Sequence, residues 1–228
     1  MLHPHLCAYN LNYSFKDNPS LLKVSMEKSC IVFDVGGVLI DWDPRYLYRK
    51  LFNGDESAME HFLEEVDFFE WNWQQDAGRP FKVAVAEACK KYPQYCELIQ
   101  AYDERYLESI GGQIEGTVTI LQELKQAGYS LYGLSNWPAE KYILVRPRFA
   151  FFDCFETIIV SGEARIAKPD PRIFELLLER SGRTADECLL IDDSMKNLEV
   201  AQKIGFQTIH FKSPTQLRIA LQEKGILI

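Results

Sequence analysis

The chain has 228 residues, 47% of them hydrophobic, which suffices for one large core or a core with a smaller insert. Its net charge of −8 offers no basic footprint for nucleic acid or an anionic membrane, so a phosphorylated ligand would need positive charge supplied locally. No apolar run approaches the roughly 20 residues of a membrane span.

Residues 1–28 mix His3, Pro4, His5, Asn10, Asn12, Asn18 and Pro19 without sustained periodicity. They are expected to form a mobile extension, with Met26 as an alternative start, and they make a poor secretory signal. Cys30 to Phe33 reads as a buried strand that delivers Asp34 into the turn Val35-Gly36-Gly37-Val38. That places a carboxylate at a sheet's carboxyl edge, where open α/β folds bind ligands.

From Asp43 to about Gly112 the sequence is helical and aromatic. Helices are predicted over Arg45–Phe52, Ala58–Val66, Phe81–Tyr92 and Tyr95–Ser109, with no strand between them. Residues 43–112 are thus expected to form a helical cap over the sheet edge. Residues 29–42 and 113–228 are expected to form the core.

The remainder alternates helix and strand. Thr117–Ala127 reads as a helix stopped by Gly128, and Leu131–Leu134 as a strand ending at Ser135. Thr157–Val160 is a short strand. Asp170-Pro171 is an N-cap followed by proline at the first helical position, and Gly182 ends that helix. Cys188–Ile191 is a strand ending at Asp192-Asp193, Met195–Ile204 a helix closed by Gly205, and Thr208–Phe211 a strand before a last helix. Repeated βα units predict an α/β fold, a Rossmann-like parallel sheet covered on both faces.

The six cysteines show neither CxxC pairs nor zinc spacing. Cys30, Cys154 and Cys188 read as buried small residues, and the expectation is reduced thiols in the cytoplasm. The four histidines (His3, His5, His61, His210) fall outside every motif below, so no catalytic or metal-binding histidine is expected.

Four segments carry candidate chemistry: Asp34 with its glycines, Leu134-Ser135-Asn136, Ala167-Lys168-Pro169 and Ile191-Asp192-Asp193-Ser194. Singly each has a plain reading. Asp34 can cap a turn, Ser135 can be a strand-end hydroxyl, Lys168 a solvated loop lysine, Asp193 a helix cap and Asn197 a helix-face residue. Together, in this order on a βα background, they resemble the signature motifs of the haloacid dehalogenase-like hydrolase superfamily.

The resemblance implies a role for each. Asp34 would be the nucleophile, forming an aspartyl-phosphate that water hydrolyses. Mg²⁺ would be held by Asp34, the Gly36 carbonyl and Asp193, with Asp192 acting through a water. Lys168 would bind nucleophile and phosphate, and Ser135 with the Asn136 amide would hold phosphate oxygens. Asn197 would support the acidic pair. The implied substrate is a small phosphorylated metabolite.

Position 36 departs from the pattern. Most phosphatases of the superfamily carry a second aspartate there as general acid and base, whereas this chain resembles a bacterial subgroup with Asp-x-Gly-Asn/Gly-Val that includes an α-glucose-1-phosphate phosphatase. Asp41 and Asp43 lie close by, as turn carboxylates or as substitutes. Two other functions stay open on sequence. A 2-haloacid dehalogenase uses the same aspartate on carbon without a metal, and also lacks the second aspartate, but its fourth motif lacks the acidic pair kept here. A weakly active relative binding a metabolite or a protein partner has only Gly36 in its favour. In the cap, Trp71, Asn72, Trp73, Asp76 and Arg79 form a candidate substrate-recognition cluster, with packing inside the cap as the plain alternative.

Overall fold

The computed structural model describes residues 30–226; the predicted amino-terminal extension and the alternative start lie outside them. Cys30–Phe33 forms strand β1, every residue of it fully buried. After the glycine turn, β2 (Ile40–Trp42) pairs antiparallel with β3 (Ile110–Gln113). Between these two strands lie α1 (Arg45–Leu51), α2 (Glu56–Glu65), α3 (Phe68–Asp76), α4 (Phe81–Lys91) and α5 (Cys96–Glu104). Beyond β3 the order is α6 (Glu115–Gln126), β4 (Ser130–Ser135), α7 (Ala139–Val145), β5 (Thr157–Val160), α8 (Ser161–Ala164) and α9 (Pro171–Ser181). β6 (Cys188–Asp192), α10 (Met195–Ile204), β7 (Gln207–His210) and α11 (Pro214–Glu223) follow.

Five strands form one sheet in the order β5-β4-β1-β6-β7, and every neighbouring pair is parallel. The continuous apolar runs explain this, because a strand buried on both faces has no solvent side to fill with polar residues. Within β1 the faces alternate. Cys30 and Val32 pack with Ile173, Phe174 and Leu177 of α9 and with Leu198 and Ala201 of α10. Ile31 and Phe33 share a cluster with Val118, Leu121 and Leu124 of α6 and with Leu217 and Leu221 of α11. Burying a side chain of this size contributes roughly 1.5–3 kcal/mol relative to leaving it in water. The layers are therefore helix, sheet, helix, as in the expected Rossmann-like core.

Local signals set the helix ends. The Asp170 side chain accepts from the Arg172 amide with Pro171 at the first helical position, and Gly182 and Gly205 end their helices in left-handed conformation.

Three expectations need correction. α3 was not anticipated: it starts at Asp67 in the left-handed region with no side-chain cap, so no N-cap signature marks it. The span 95–109 is not one helix but α5 flanked by 3₁₀ turns at Pro93–Tyr95 and Tyr106–Ser109. Finally, Cys89 and Cys96 are joined in a disulfide, so the reduced-thiol expectation does not hold for this pair. Their positions at the end of α4 and the start of α5 bring the Cα atoms to 4.5 Å across the Pro93–Tyr95 turn. Cys30 and Cys188 are free and buried, and Cys154 is free and half-buried. No helix among the described residues is long and apolar enough to cross a membrane.

The helices between β2 and β3 close around their own aromatic core. Tyr102 lies 4.8 Å from Phe68, 6.0 Å from Phe81 and 5.3 Å from Tyr106, centroid to centroid. Lys141 of α7 ties this layer to the sheet domain. Its buried ammonium pairs with Asp103 of α5 and stands 4.3 Å over the Phe81 ring.

Candidate active site

β1 is the central strand, with β4 on one side and β6 on the other. Parallel pairing brings all three carboxyl ends to one edge. Asp34 follows β1 and donates its amide to the Ile191 carbonyl at 2.9 Å, Ser135 ends β4, and Asp192 ends β6. Lys168 reaches the same edge from the loop between α8 and α9.

Lys168 is 1% exposed, and its ammonium lies 2.8 Å from Asp34 Oδ2 and 2.7 Å from Asp192 Oδ2. Burial alone would depress this lysine, but Asp192 and Asp34 outweigh it and hold the ammonium above its ordinary range. Its backbone is clamped by the Asn136 side chain. Nδ2 donates to the Lys168 carbonyl at 2.9 Å, and Oδ1 accepts from the Lys168 amide at 2.8 Å. The Asn136 side chain therefore positions the lysine.

The two adjacent acids are in different situations. Asp192 is saturated: it accepts from Lys168, from the Ser194 amide at 2.8 Å and from Asn197 Nδ2 at 3.0 and 3.1 Å. Asn197 is buried and spends its amide on this carboxylate. Asp193 is exposed, and no other described residue hydrogen-bonds or pairs with its carboxylate. It lies over Gly37, where a Cβ would collide with its Oδ2.

Asp34, Asp192 and Asp193 each offer an oxygen within 4.8 Å of the others. Burial pushes Asp34 well above the ordinary carboxylate range, Lys168 pulls it down, and Asp192 and Asp193 push it up again. Asp193 is raised too, first by burial and then by Asp192. Three carboxylates and one ammonium, which pairs with Asp34 and Asp192, leave two negative charges uncompensated when ionised. Oxygen donors with surplus negative charge suit a hard divalent cation, so the residues present fit Mg²⁺. Ser135 is fully buried, and its Oγ has no hydrogen-bond partner. A buried hydroxyl without a partner among the described residues is free to donate to a further oxygen.

The remaining candidates sit elsewhere. Asp41 accepts from the Tyr46 hydroxyl at 2.7 Å, and Asp43 accepts from the Arg45 amide at 2.9 Å, so both serve the start of the helical layer. Arg79 bonds Gln75 at 2.8 Å and Glu87 at 3.3 Å within that layer. Trp71 packs on Phe68 and Phe81. Trp73 reaches the loop of Lys168 instead, donating to its carbonyl at 3.5 Å. Sequence reasoning missed Ser161, whose hydroxyl donates to the Asp76 carbonyl at 2.6 Å and accepts from the Trp137 amide at 2.9 Å. Its only signal was its place directly after β5. His210, outside every motif, contacts the Asp193 carbonyl at 3.0 Å through Nε2.

The sequence profile of the haloacid dehalogenase-like hydrolases matches residues 28–205. A sesquiterpene phosphatase of Aspergillus oryzae is 30% identical over 183 residues, covering 78% of this chain and 87% of that protein. A phosphorylated carbohydrates phosphatase of Thermotoga maritima is 21% identical, covering 79% of this chain and 83% of that protein. Among solved structures, a family enzyme of Bacteroides thetaiotaomicron in complex with magnesium and inorganic phosphate is 26% identical. It superposes with a TM-score of 0.61 over 81% of this chain and 94% of that one.

Proposed function

The chain belongs to the haloacid dehalogenase-like hydrolase family, and from that premise we propose that it is a magnesium-dependent phosphatase acting on a small phosphorylated metabolite. The observation that carries this reading is the convergence of Asp34, Asp192 and Asp193, of which only Asp34 and Asp192 pair with the buried Lys168 ammonium. A dehalogenase attacking carbon without a metal has no use for that surplus of negative charge, and packing three acids together costs stability unless a cation joins them. Relatives named as phosphatases, one for carbohydrates and one for sesquiterpenes, support the reaction class and differ in the group attached to phosphate.

In the mechanism Asp34 attacks phosphorus. Its Oδ2 already bonds Lys168, which opposes the effect of burial and orients the carboxylate, and the same ammonium offers charge to the phosphoryl oxygens. Ser135 supplies a hydroxyl to one of those oxygens. Asp34, the Gly36 carbonyl and Asp193 would hold Mg²⁺, which when bound supplies charge neutralisation for the transferring phosphoryl group. Asp192, its oxygens taken by Lys168, Asn197 and the Ser194 amide, fixes the lysine. The bond from phosphorus to the leaving oxygen breaks as the aspartyl-phosphate forms, and water then returns Asp34 to its free state.

The test is hydrolysis of 4-nitrophenyl phosphate and of a metabolite phosphate panel, with magnesium or with chelator, alongside Asp34→Asn. Turnover that needs magnesium and vanishes in Asp34→Asn is the expected result. Chloride release from 2-chloropropionate in chelator, without phosphate release, would establish the dehalogenase instead. Absence of any turnover by the magnesium-loaded wild type would leave a binding protein.

A further inference from the structure

Expelling an alkoxide from an alkyl phosphate requires a proton, and the residues named so far do not provide one. Gly36 has no side chain, Asp34 is the nucleophile, and Asp41 and Asp43 are occupied at the start of the helical layer. One acid on a turn tethered to the site's edge fits the need.

Asp76 is the last residue of α3. A carboxylate at a helix carboxyl terminus faces the negative end of the helix dipole, and the last turn of α3 contains no basic residue to offset it. No described cation forms an ion pair with Asp76. Its carboxyl group has one side-chain partner, Asn72 Nδ2 at 3.3 Å, whose own Oδ1 is fixed by the Tyr102 hydroxyl at 2.9 Å. The turn carrying Asp76 is pinned to the catalytic edge at two points. Its carbonyl accepts from Ser161, at the carboxyl end of β5, and Trp73 donates to the Lys168 carbonyl. A structural role would call for a cation or several donors on this half-buried carboxylate, and neither is found among the described residues.

We propose that Asp76, supplied by the helical layer, is the proton donor to the leaving oxygen and the later acceptor from the hydrolytic water, in place of the side chain that Gly36 lacks. This rests on the phosphatase reading. In the first step the Asp34 oxygen bonds to phosphorus, the bond to the ester oxygen breaks, and that oxygen takes the Asp76 proton. In the second, water attacks the aspartyl-phosphate, its proton passes to Asp76, and the bond between phosphorus and Asp34 breaks. Both residues return to their starting states. Burial pushes the Asp76 carboxyl well above the ordinary carboxylate range, with Lys168 opposing, a direction that favours the acid form. The titratable groups that bear on it are Lys168, Tyr102 of α5 and Tyr106 of the following 3₁₀ turn, and burial holds both phenols neutral.

The experiment compares wild type, Asp76→Asn and Asp76→Glu with magnesium on two esters: 4-nitrophenyl phosphate and the best alkyl phosphate from the panel. General acid assistance is worth about 10²–10⁴-fold, and an alkoxide needs it far more than a nitrophenolate. Asp76→Asn should therefore lower kcat/KM on the alkyl ester by about 10²–10⁴-fold and on the aryl ester by less than about tenfold. The alkaline limb of the alkyl-ester pH profile should disappear in Asp76→Asn and persist in Asp76→Glu, which also controls for folding. A Cβ at Gly36 would meet no atom within 4 Å, so adding Gly36→Asp to Asp76→Asn should restore alkyl-ester turnover. Equal losses on both esters, or no loss on either, would overturn the proposal. A wild type that hydrolyses neither ester would instead overturn the phosphatase reading.

Discussion

Gly36 and Gly37 are neighbours in one turn with opposite requirements. Gly37 has φ of +75°, and a side chain there would displace the Asp193 carboxylate. Gly36 lies outside the left-handed region, with open space where its side chain would be. Gly37→Ala should therefore cost about 1–2 kcal/mol of stability from the backbone alone, and should weaken magnesium binding at least tenfold by moving Asp193. Isothermal titration with MgCl₂ alone reads the second effect, and Gly36→Ala should perturb it far less. Equal affinities in Gly37→Ala and wild type would remove Asp193 from the metal set. The sequence marked Asp34, Ser135, Lys168 and Asp193 because each stands where an apolar run or a rigid loop gives way to a turn. It did not reveal that Asp192 is saturated while Asp193 is not, since that depends on where Asn197 and Lys168 reach in space. Asp76 fell within a cluster that the sequence offered for substrate recognition, but its lack of a cation was not legible there.

At the level of elements, those with chemical punctuation were readable. Asp170-Pro171 and the left-handed Gly182 and Gly205 fixed α9 and the end of α10. α3 has no such marks. It carries aromatic residues on several sides, because Phe68 faces the aromatic core while Trp73 faces the Lys168 loop, and no single 3.6-residue stripe results. β2 and β3 were too short, and β3 too rich in glycine, for alternation to show. Equally invisible was the contact between the loop that follows β4 and the start of α8, directly after β5. The Gly162 amide bonds the Trp137 carbonyl at 3.1 Å, and a Cβ on Gly162 would stand 2.7 Å from that oxygen and closer still to the Ala139 amide. Both neighbours are backbone, so neither can rotate away. Gly162→Ala should cost roughly 1–3 kcal/mol by overpacking. It should also lower kcat about 10²-fold, because Ser135 and Asn136 lie at the head of the displaced loop. Urea unfolding with phosphatase assays separates the two effects. A variant of unchanged stability would mean that the loops can part freely.

For the whole molecule, the site joins two layers that are otherwise held together by few polar links. Lys141 with Asp103 is one, and the Trp73 and Ser161 bonds to the catalytic edge are others. The sheet domain contributes Asp34, Ser135, Lys168, Asp192 and Asp193, so a metal held by the proposed set would belong to the sheet domain and its binding should stabilise that domain directly. An ion that binds the folded chain and not the unfolded one, at 100 times its Kd, adds about 2.7 kcal/mol. For a chain of this size each kcal/mol moves Tm by about 2–4 °C, so saturating magnesium should raise Tm by roughly 5–10 °C over chelator at matched ionic strength. Asp193→Asn should lose most of that rise while retaining the fold, because the Asp193 carboxylate takes no hydrogen bond from another described residue. Asp192→Asn should behave differently. Removing its charge leaves the fully buried Lys168 with Asp34 as its one remaining ion-pair partner among the described residues, so this variant should be destabilised even in chelator. Scanning calorimetry of the three proteins with and without magnesium distinguishes these outcomes. A magnesium shift that survives Asp193→Asn at full size would place the cation somewhere other than the cluster at the end of β1 and β6.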